Sequence, residues 1–329
     1  MGEFELIQRY FTRPVRKAVL GVGDDCALLQ PRAGMHMAIS TDMLVAGRHF
    51  FADVDPHALG HKALAVNLSD LAACGARPLA FTLALSLPQA IDAWLAPFAQ
   101  GLWALADAHG CELIGGDTTQ GPLNICITVF GEVPAGQALL RSGAQPGDDL
   151  YVSGTLGDAR LALEALQGHL QLPEAVLASA RQRLERPTPR VALGQALQGV
   201  ASACADISDG LLGDLGHILQ RSGVGATIDT ENAITLIAAC ACWTGANGSF
   251  EHTIGSPRAL QCVLAGGDDY ELVFTAPPAR RAAVQAAARA SATPVTRIGQ
   301  IDATPGLRLR DAQGRPVDGN FASFDHFAR

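Results

Sequence analysis

Aspartates set beside glycines and hydroxyls are the residues of this chain whose types could do chemistry together. Asp24 and Asp25 follow Gly21-Val22-Gly23, Asp42 follows Ser40-Thr41, Asp70 closes Asn67-Leu68-Ser69-Asp70, and Asp117 follows Gly115-Gly116. In the second half, Asp206 and Asp209 flank Ile207-Ser208 and precede Gly210, while Asp268 and Asp269 follow Gly266-Gly267. Neighbouring glycines let the backbone approach a ligand closely. Any one such segment is most often a turn or a helix cap, because Asp bonds nearby backbone groups and Gly takes positive φ. Their recurrence, several of them at expected strand ends, favours a shared site. Two carboxylates at ~4 Å repel by roughly 4 kcal/mol at an effective dielectric near 20. A convergent cluster therefore needs cations, and oxygen-only ligands select hard ones. Mg²⁺ joins one or two carboxylates to substrate phosphates and keeps several waters. Several bound ions would invert the local charge and let an acidic, lysine-poor site hold a triphosphate. The chemistry read from these residues is phosphoryl transfer on Asp and Mg²⁺.

The composition narrows the alternatives. Only Lys17 and Lys62 are lysines among 24 basic residues, and neither sits in a G-x-x-x-x-G-K-[ST] phosphate loop. A formal net charge of -8 argues against a nucleic-acid partner, which needs a basic face. With 48% hydrophobic and 17% charged residues, the chain is not of the disordered class. The longest apolar candidate, residues 79–87, contains Thr82 and Ser86 and stops at Pro88, so no membrane span or membrane partner is expected. The first residues are acidic where a secretory signal would be basic, and a cytoplasmic protein is expected. The eight cysteines then read as buried free thiols rather than a disulfide framework.

The elements that must position the aspartates follow from periodicity and punctuation. A short helix is expected over 3–11, and a strand over 37–41 that ends at Asp42. A helix over 58–74 carries Leu64, Leu68 and Leu71 at helical spacing and stops at Gly75. A strand over 79–87, a helix over 91–109 ending at Gly110, and strands over 113–114 and 124–133 complete the first half. The 134–147 stretch is rich in Gly and Pro and reads as a linker. The second half begins with a strand over 149–153. Helices are expected over 156–166, 174–184 and 191–200 and after Asp209, and strands over 227–229, 270–275 and 295–301. This mixture indicates α+β or α/β layers. At 329 residues two domains are expected: 1–137, a linker 138–148, and 149–329. A weak echo links the halves, since Ser69-Asp70 leads to Gly115-Gly116-Asp117 as Ser208-Asp209 leads to Gly266-Gly267-Asp268.

Seven ordered motifs carry a family resemblance: Gly-Val-Gly-Asp-Asp-Cys-Ala at 21–27, Ser-Thr-Asp at 40–42, Asn-Leu-Ser-Asp-Leu-Ala at 67–72, Gly-Gly-Asp-Thr-Thr at 115–119, Arg-Ser-Gly-Ala-Gln-Pro-Gly-Asp at 141–148, Asp-Ile-Ser-Asp-Gly at 206–210 and Gly-Gly-Asp-Asp-Tyr-Glu-Leu at 266–272. Together, over essentially the whole chain, they resemble thiamine-monophosphate kinase, within the wider superfamily of aminoimidazole ribonucleotide synthetase. The resemblance implies a two-domain fold whose N-terminal domain pairs sheets across a homodimer and whose C-terminal α/β domain, built on a mixed sheet, completes the site. It implies ATP-dependent phosphorylation of thiamine monophosphate to thiamine diphosphate, with several Mg²⁺ ions. Carried over by motif, Asp25, Ser40, Thr41, Asp42, Asp70, Asp117, Asp206 and Asp209 are expected at metal, and Gly116, Arg141 and Ser208 at ATP. His49, Asp268 and Phe324 are expected near the thiamine substrate. Asp70, Asp206 and Asp209 are the residues expected to matter most for turnover, through a Ser-Asp pair in each half.

Two departures touch the substrate pocket. Many members of the family it resembles carry Glu at the place of Asp268, and often Tyr or Trp at the place of Phe324. Two other readings stand beside the kinase. A selenophosphate synthetase-like enzyme would need a reactive cysteine beside a lysine near the N-terminus, whereas Cys26 follows Asp25 with no lysine beside it. A non-catalytic Mg²⁺- and nucleotide-binding protein would keep the same cleft. Outside the motifs, His57 and His61 lack a third metal ligand, Lys62 reads as a solvated charge ahead of an inward reach from the helix of Asp70, and Trp94, Phe98 and Trp103 read as helix packing.

Overall fold

A computed structural model describes residues 2–242, 256–319, 321 and 323. The chain divides into two compact units, Met1–Leu71 with Ala76–Ala138, and Ala72–Gly75 with Leu139–Arg329.

The first unit begins with α1 (Glu3–Leu6), which widens into a π turn at Ile7–Phe11. It continues through β1 (Met35–Val45), α2 (Pro56–Ala73), β2 (Arg77–Leu87), α3 (Asp92–His109), β3 (Glu112–Gln120) and β4 (Asn124–Pro134). The sheet runs β1-β4-β2-β3, antiparallel except for the β2–β3 pair, whose crossover is α3. Side chains alternate across it with the period of two that a strand dictates. Phe81, Leu83 and Leu85 of β2 and Ile125, Ile127 and Val129 of β4 are buried. On β1, Ile39 and Met43 point the other way and are 61% and 52% exposed.

Two helices press together through glycines. A Cβ on Gly60 of α2 would lie 2.0 Å from the Phe98 carbonyl, and one on Gly101 of α3 would lie 1.9 Å from that of His57. Trp94 stacks on Phe98 at 4.8 Å, and the Trp103 indole N–H donates to the Tyr10 carbonyl at 2.8 Å. These aromatics pack α3, as the sequence indicates.

The second unit contains β5 (Asp149–Ser153), α4 (Asp158–Leu166), α5 (Glu174–Glu185), α6 (Val191–Ala196), β6 (Ala203–Ile207), α7 (Leu211–Ser222), β7 (Gly225–Asp229) and α8 (Thr230–Ile234). After a short 3-10 stretch come α9 (Ser256–Ala265), β8 (Glu271–Ala276), α10 (Arg281–Ala290), β9 (Val295–Asp302) and β10 (Gly306–Arg310). The sheet order is β10-β7-β9-β5-β8-β6, with only β10–β7 parallel. Both units are therefore mixed sheets with helices, an α+β architecture. Strands β5, β6 and β8 are buried at every position.

Several expectations are corrected here. The strand expected to end at Asp42 runs on to Val45, so Asp42 lies within β1. Gly115-Gly116-Asp117 is strand rather than loop, because β3 continues beside β2 to Gln120. Cys26 is exposed, although Cys111, Cys204 and Cys262 are buried as expected. Burial pushes the Cys111 and Cys262 thiols up to about 12. Lys62 is 3% exposed and is no solvated charge. The echo between the halves is not structural, since Ser69-Asp70 lies near the end of a helix and Ser208-Asp209 just before one.

Two outcomes follow for stability. Gly101→Ala gains about 1 kcal/mol of helix propensity but must force α2 and α3 apart, an overpacking cost of about 1–3 kcal/mol. Its urea midpoint is expected below that of the wild type, and an unchanged midpoint would contradict so close a helix crossing. The second outcome concerns Glu132, which is buried while Arg32 Nε donates to it at 2.7 Å and Arg77 also pairs with it. Burial pushes its carboxyl up, but the arginine hydrogen bonds outweigh that and hold it below its ordinary value. A depressed folded pKa gives stability that is present above the unfolded value near pH 4 and lost as pH falls through the folded one. Glu132→Gln is thus expected to be less stable than wild type at pH 7, with the gap closing at pH 3 in urea titrations.

Candidate active site

In the first unit, β1 and α2 meet through matched spacings. Asn67 and Asp70 lie three apart and share a face of α2, while Ser40 and Asp42 lie two apart and share a face of β1. Ser40 Oγ donates to Asp70 Oδ2 at 2.5 Å, and the Asp42 backbone N–H donates to Asn67 Oδ1 at 3.0 Å. Asn67 is 1% exposed and its amide also donates to the Ala63 carbonyl at 3.0 Å, which fixes its orientation. Ser69, the hydroxyl expected to work with Asp70, is fully buried, and Ser40 stands beside that carboxylate.

Other residues of the expected set are placed elsewhere in this unit. Thr41 lies on the opposite face of β1 from Ser40 and Asp42, and its Oγ1 is 2.9 Å from Thr128 Oγ1. Asp117 is on the far edge of the sheet. Strand register sets it in the row Met43, Cys126, Ala84, Asp117, one row from that of Asp42, Ile127, Leu83 and Gly116. Three strand spacings separate Asp42 from Asp117, about 14 Å along the sheet. Gly116 has φ +146°, and a Cβ there would fall 1.9 Å from the Leu83 carbonyl, so only glycine fits. Asp25 is exposed in the turn that the Leu28 N–H closes onto the Leu20 carbonyl at 3.0 Å. His49 Nδ1 accepts the Val45 N–H at 2.9 Å, which leaves the ring proton of the neutral imidazole on Nε2.

The second unit assembles two motifs that are far apart in sequence. Strand β6 delivers Asp206, 4% exposed, to its C-terminal end, and the 208–210 turn leads into α7. Ser208 is half-buried and Asp209 exposed. The three N–H groups of Ser208, Asp209 and Gly210 all donate to Asp214 Oδ2, at 3.0, 3.1 and 3.1 Å. The 266–270 turn lies directly on this one. The Asp268 N–H donates to the Ser208 carbonyl at 2.9 Å, and a Cβ on Gly267 would come 2.5 Å from the same oxygen. Asp268, Ser208 and Asp209 therefore share one end of the second sheet. Arg141 is exposed, its carbonyl accepting Ser222 Oγ at 3.4 Å. Phe324 lies outside the described residues.

Asp214 and Asn67 are the residues to which sequence reasoning gave no role. An acidic side chain in the first turn of a helix that follows Asp-Gly is a capping signal, and it would have pointed to Asp214. Burial pushes the Asp214 carboxyl up to about 7, opposed by the Asp209 N–H bond and reinforced by the Asp209 charge. Among the described residues, no three His, Cys, Asp or Glu side chains gather closely enough to hold a metal ion by themselves. The oxygen donors instead form separate local groups, one on β1 and α2 and one at the end of β6.

The model for AIR synthase related protein, N-terminal domain, matches residues 23–133, and that for the C-terminal domain matches residues 145–312. Thiamine-monophosphate kinase of Salmonella typhimurium (strain LT2) is 48% identical over 334 residues, covering 99% of this chain and 98% of that protein. The chain belongs to the thiamine-monophosphate kinase family. The family's solved structures superpose on both units. The crystal structure of thiamine-monophosphate kinase from Stenotrophomonas maltophilia K279a is 46% identical with a TM-score of 0.80, covering 93% of this chain and 94% of that one. AaThiL complexed with AMPPCP and TMP is 30% identical with a TM-score of 0.74, covering 91% of this chain and 89% of that one.

Within this family frame, the role of Asp214 can be tested apart from the aspartates it supports. Asp214→Ala leaves three N–H groups short of an acceptor and is expected to cost about 1–3 kcal/mol. Asp214→Asn keeps an oxygen acceptor and is expected to retain most of that stability. Thermal unfolding of the two variants checks this, and equal losses would rule out the carboxylate oxygen as the cap of the turn.

Proposed function

We propose that this chain transfers the terminal phosphoryl group of ATP to thiamine monophosphate, giving thiamine diphosphate. The observation that carries the reading is the near-full-length relationship to a kinase of that name, which spans both oxygen-rich groups. The AMPPCP and TMP held by AaThiL, a chain of the same architecture, are consistent with an ATP-like donor and this acceptor.

The reaction needs no protein base. The acceptor is a phosphate monoester with a second pKa of about 6, so near pH 7 its oxygen is largely deprotonated. The work lies in aligning two anions and stabilising the charge on the transferred group. Mg²⁺ fits the donors present. Ser40, Asp42 and Asp70 in one unit, and Asp206, Ser208 and Asp209 in the other, offer hard oxygen. Mg²⁺ takes much of its shell from waters and substrate phosphates, so it needs only one or two of these carboxylates. When bound, Mg²⁺ supplies charge neutralisation on the phosphates. The chain's own residues hold that arrangement in place. Asn67 and Ser40 lock the β1 and α2 oxygens in register, and Asp214 fixes the turn that presents Ser208 and Asp209.

By family likeness, Asp25, Thr41 and Asp117 join the metal set, Gly116 and Arg141 the nucleotide site, and Asp268 and Phe324 the thiamine pocket. His49, with its proton on Nε2, is suited to donate to the acceptor. A homodimer is also inferred. The β1 face bearing Ile39, Thr41 and Met43 is exposed in the single chain, and a partner sheet would cover it. No helix among the described residues is long and apolar enough to cross a membrane. The acidic first residues, where a secretory signal would be basic, favour a cytoplasmic enzyme.

Asp209→Asn is the decisive variant, since its side chain is exposed and its loss leaves the Asp214 cap intact. It is expected to lose at least about 100-fold in kcat with an unchanged unfolding midpoint. Turnover is read as ADP formed only when thiamine monophosphate is present. Near-normal rates would remove Asp209 from the site, and a wild-type protein that makes no thiamine diphosphate would remove the reaction.

A further inference from the structure

Two residues of the 266–270 turn adopt a backbone conformation that L side chains rarely take. Asp268 has φ 65° and Tyr270 has φ 52°. Such residues persist where the surroundings over-determine them. Both N–H groups are tied down, that of Asp268 to the Ser208 carbonyl at 2.9 Å and that of Tyr270 to the Ile207 carbonyl at 2.8 Å. The Tyr270 hydroxyl also donates to Asp268 Oδ1 at 3.4 Å. Between them Asp269 is fully buried, its two carboxylate oxygens accepting the Gly157 N–H at 3.0 and 3.1 Å.

One side chain links this turn to the core of the unit. Arg183 Nη2, from α5, donates both to the Asp269 carbonyl at 3.2 Å and to Glu271 Oε1 at 2.7 Å. Glu271 is fully buried and held from other sides as well. Arg190 donates from Nε at 2.6 Å and Nη2 at 2.5 Å, and Ser153 Oγ donates at 2.6 Å. Gly154 leaves room for this carboxylate, since a Cβ there would lie 2.1 Å from Glu271 Oε1. Arg183 Nε has no acceptor among the described residues. The guanidinium therefore acts on the turn through one nitrogen, which bridges an immobile anion and the carbonyl lying between two strained residues.

We propose that Arg183 is a positioning residue: by tying the Asp269 carbonyl to the Glu271 carboxylate it holds the 266–270 turn in its strained form, and so sets the Asp268 carboxylate for recognition of the thiamine end of the acceptor. This rests on the proposed reaction and on the place of Asp268 beside that substrate. Glu271 serves the same end through Arg183.

A double-mutant cycle on the full-length protein, with ATP and thiamine monophosphate as substrates, tests it. Arg183→Met is expected to lower kcat/KM for thiamine monophosphate by roughly 10- to 100-fold, mainly through KM, while KM for ATP stays within about twofold. Arg183→Lys keeps a nitrogen donor and is expected to recover most of the loss. In an Asp268→Ala background, Arg183→Met is expected to cost about twofold or less, because no carboxylate remains to be set. Equal losses in the two backgrounds would show a structural role alone and overturn the proposal. Should Arg183→Met fail to fold at the assay temperature, Glu271→Gln keeps the volume and the Ser153 contact and runs the same cycle with the same expectations. A wild-type enzyme that forms no thiamine diphosphate would instead remove the reaction itself, a result distinct from equal losses in an active enzyme.

Discussion

A carboxylate taken out of water costs several kcal/mol unless donors answer it fully, and this requirement organises both units. Glu132 is met by Arg32 and Arg77, Asp149 by Arg281 and Arg297, and Glu271 by Arg183 and Arg190. Asp214 and Asp269 meet backbone N–H groups instead, three at the first and that of Gly157 at the second, and burial raises both carboxyls. The arginine-paired anions are spent on holding structure. Arginine suits these sites, since a planar fork satisfies a buried carboxylate with two parallel bonds.

Neutral groups hold other oxygens. Ser40 donates to Asp70, and the Asn67 side-chain oxygen accepts the Asp42 N–H. Backbone amides hold the turn that carries Ser208 and Asp209.

Much of the architecture was legible because it rests on local rules. Alternation in β2 and helical spacing in α2 and α3 are patterns of one element against one core, and Gly110 ends α3 in a left-handed cap as its type suggests. Strand β6 was not legible. Its Ala-Cys-Ala-Asp-Ile run is buried on both faces and so carries no alternation. The reach of β1 past Asp42 and of β3 through Gly115-Gly116 was hidden because Asp and Gly ordinarily interrupt strands, and here pairing with a long neighbour overrides that preference. Lys62 misled for a related reason, since helical position alone does not tell which side a neighbouring sheet will cover.

By itself, the sequence determined the family. Seven ordered motifs rich in oxygen donors carry that likeness, and neither of the two lysines sits in a phosphate loop. Only the tertiary structure decided which of those residues stand together. It put Ser40 rather than Ser69 beside Asp70, turned Thr41 to the opposite face, and laid the Asp268 turn on Ser208. It also disclosed Asp214 and Arg183, which no motif marks. The reason is physical: residue type sets what a side chain can bind, whereas strand register and long-range hydrogen bonds set what it meets, and these depend on partners that can lie more than a hundred residues away in the chain.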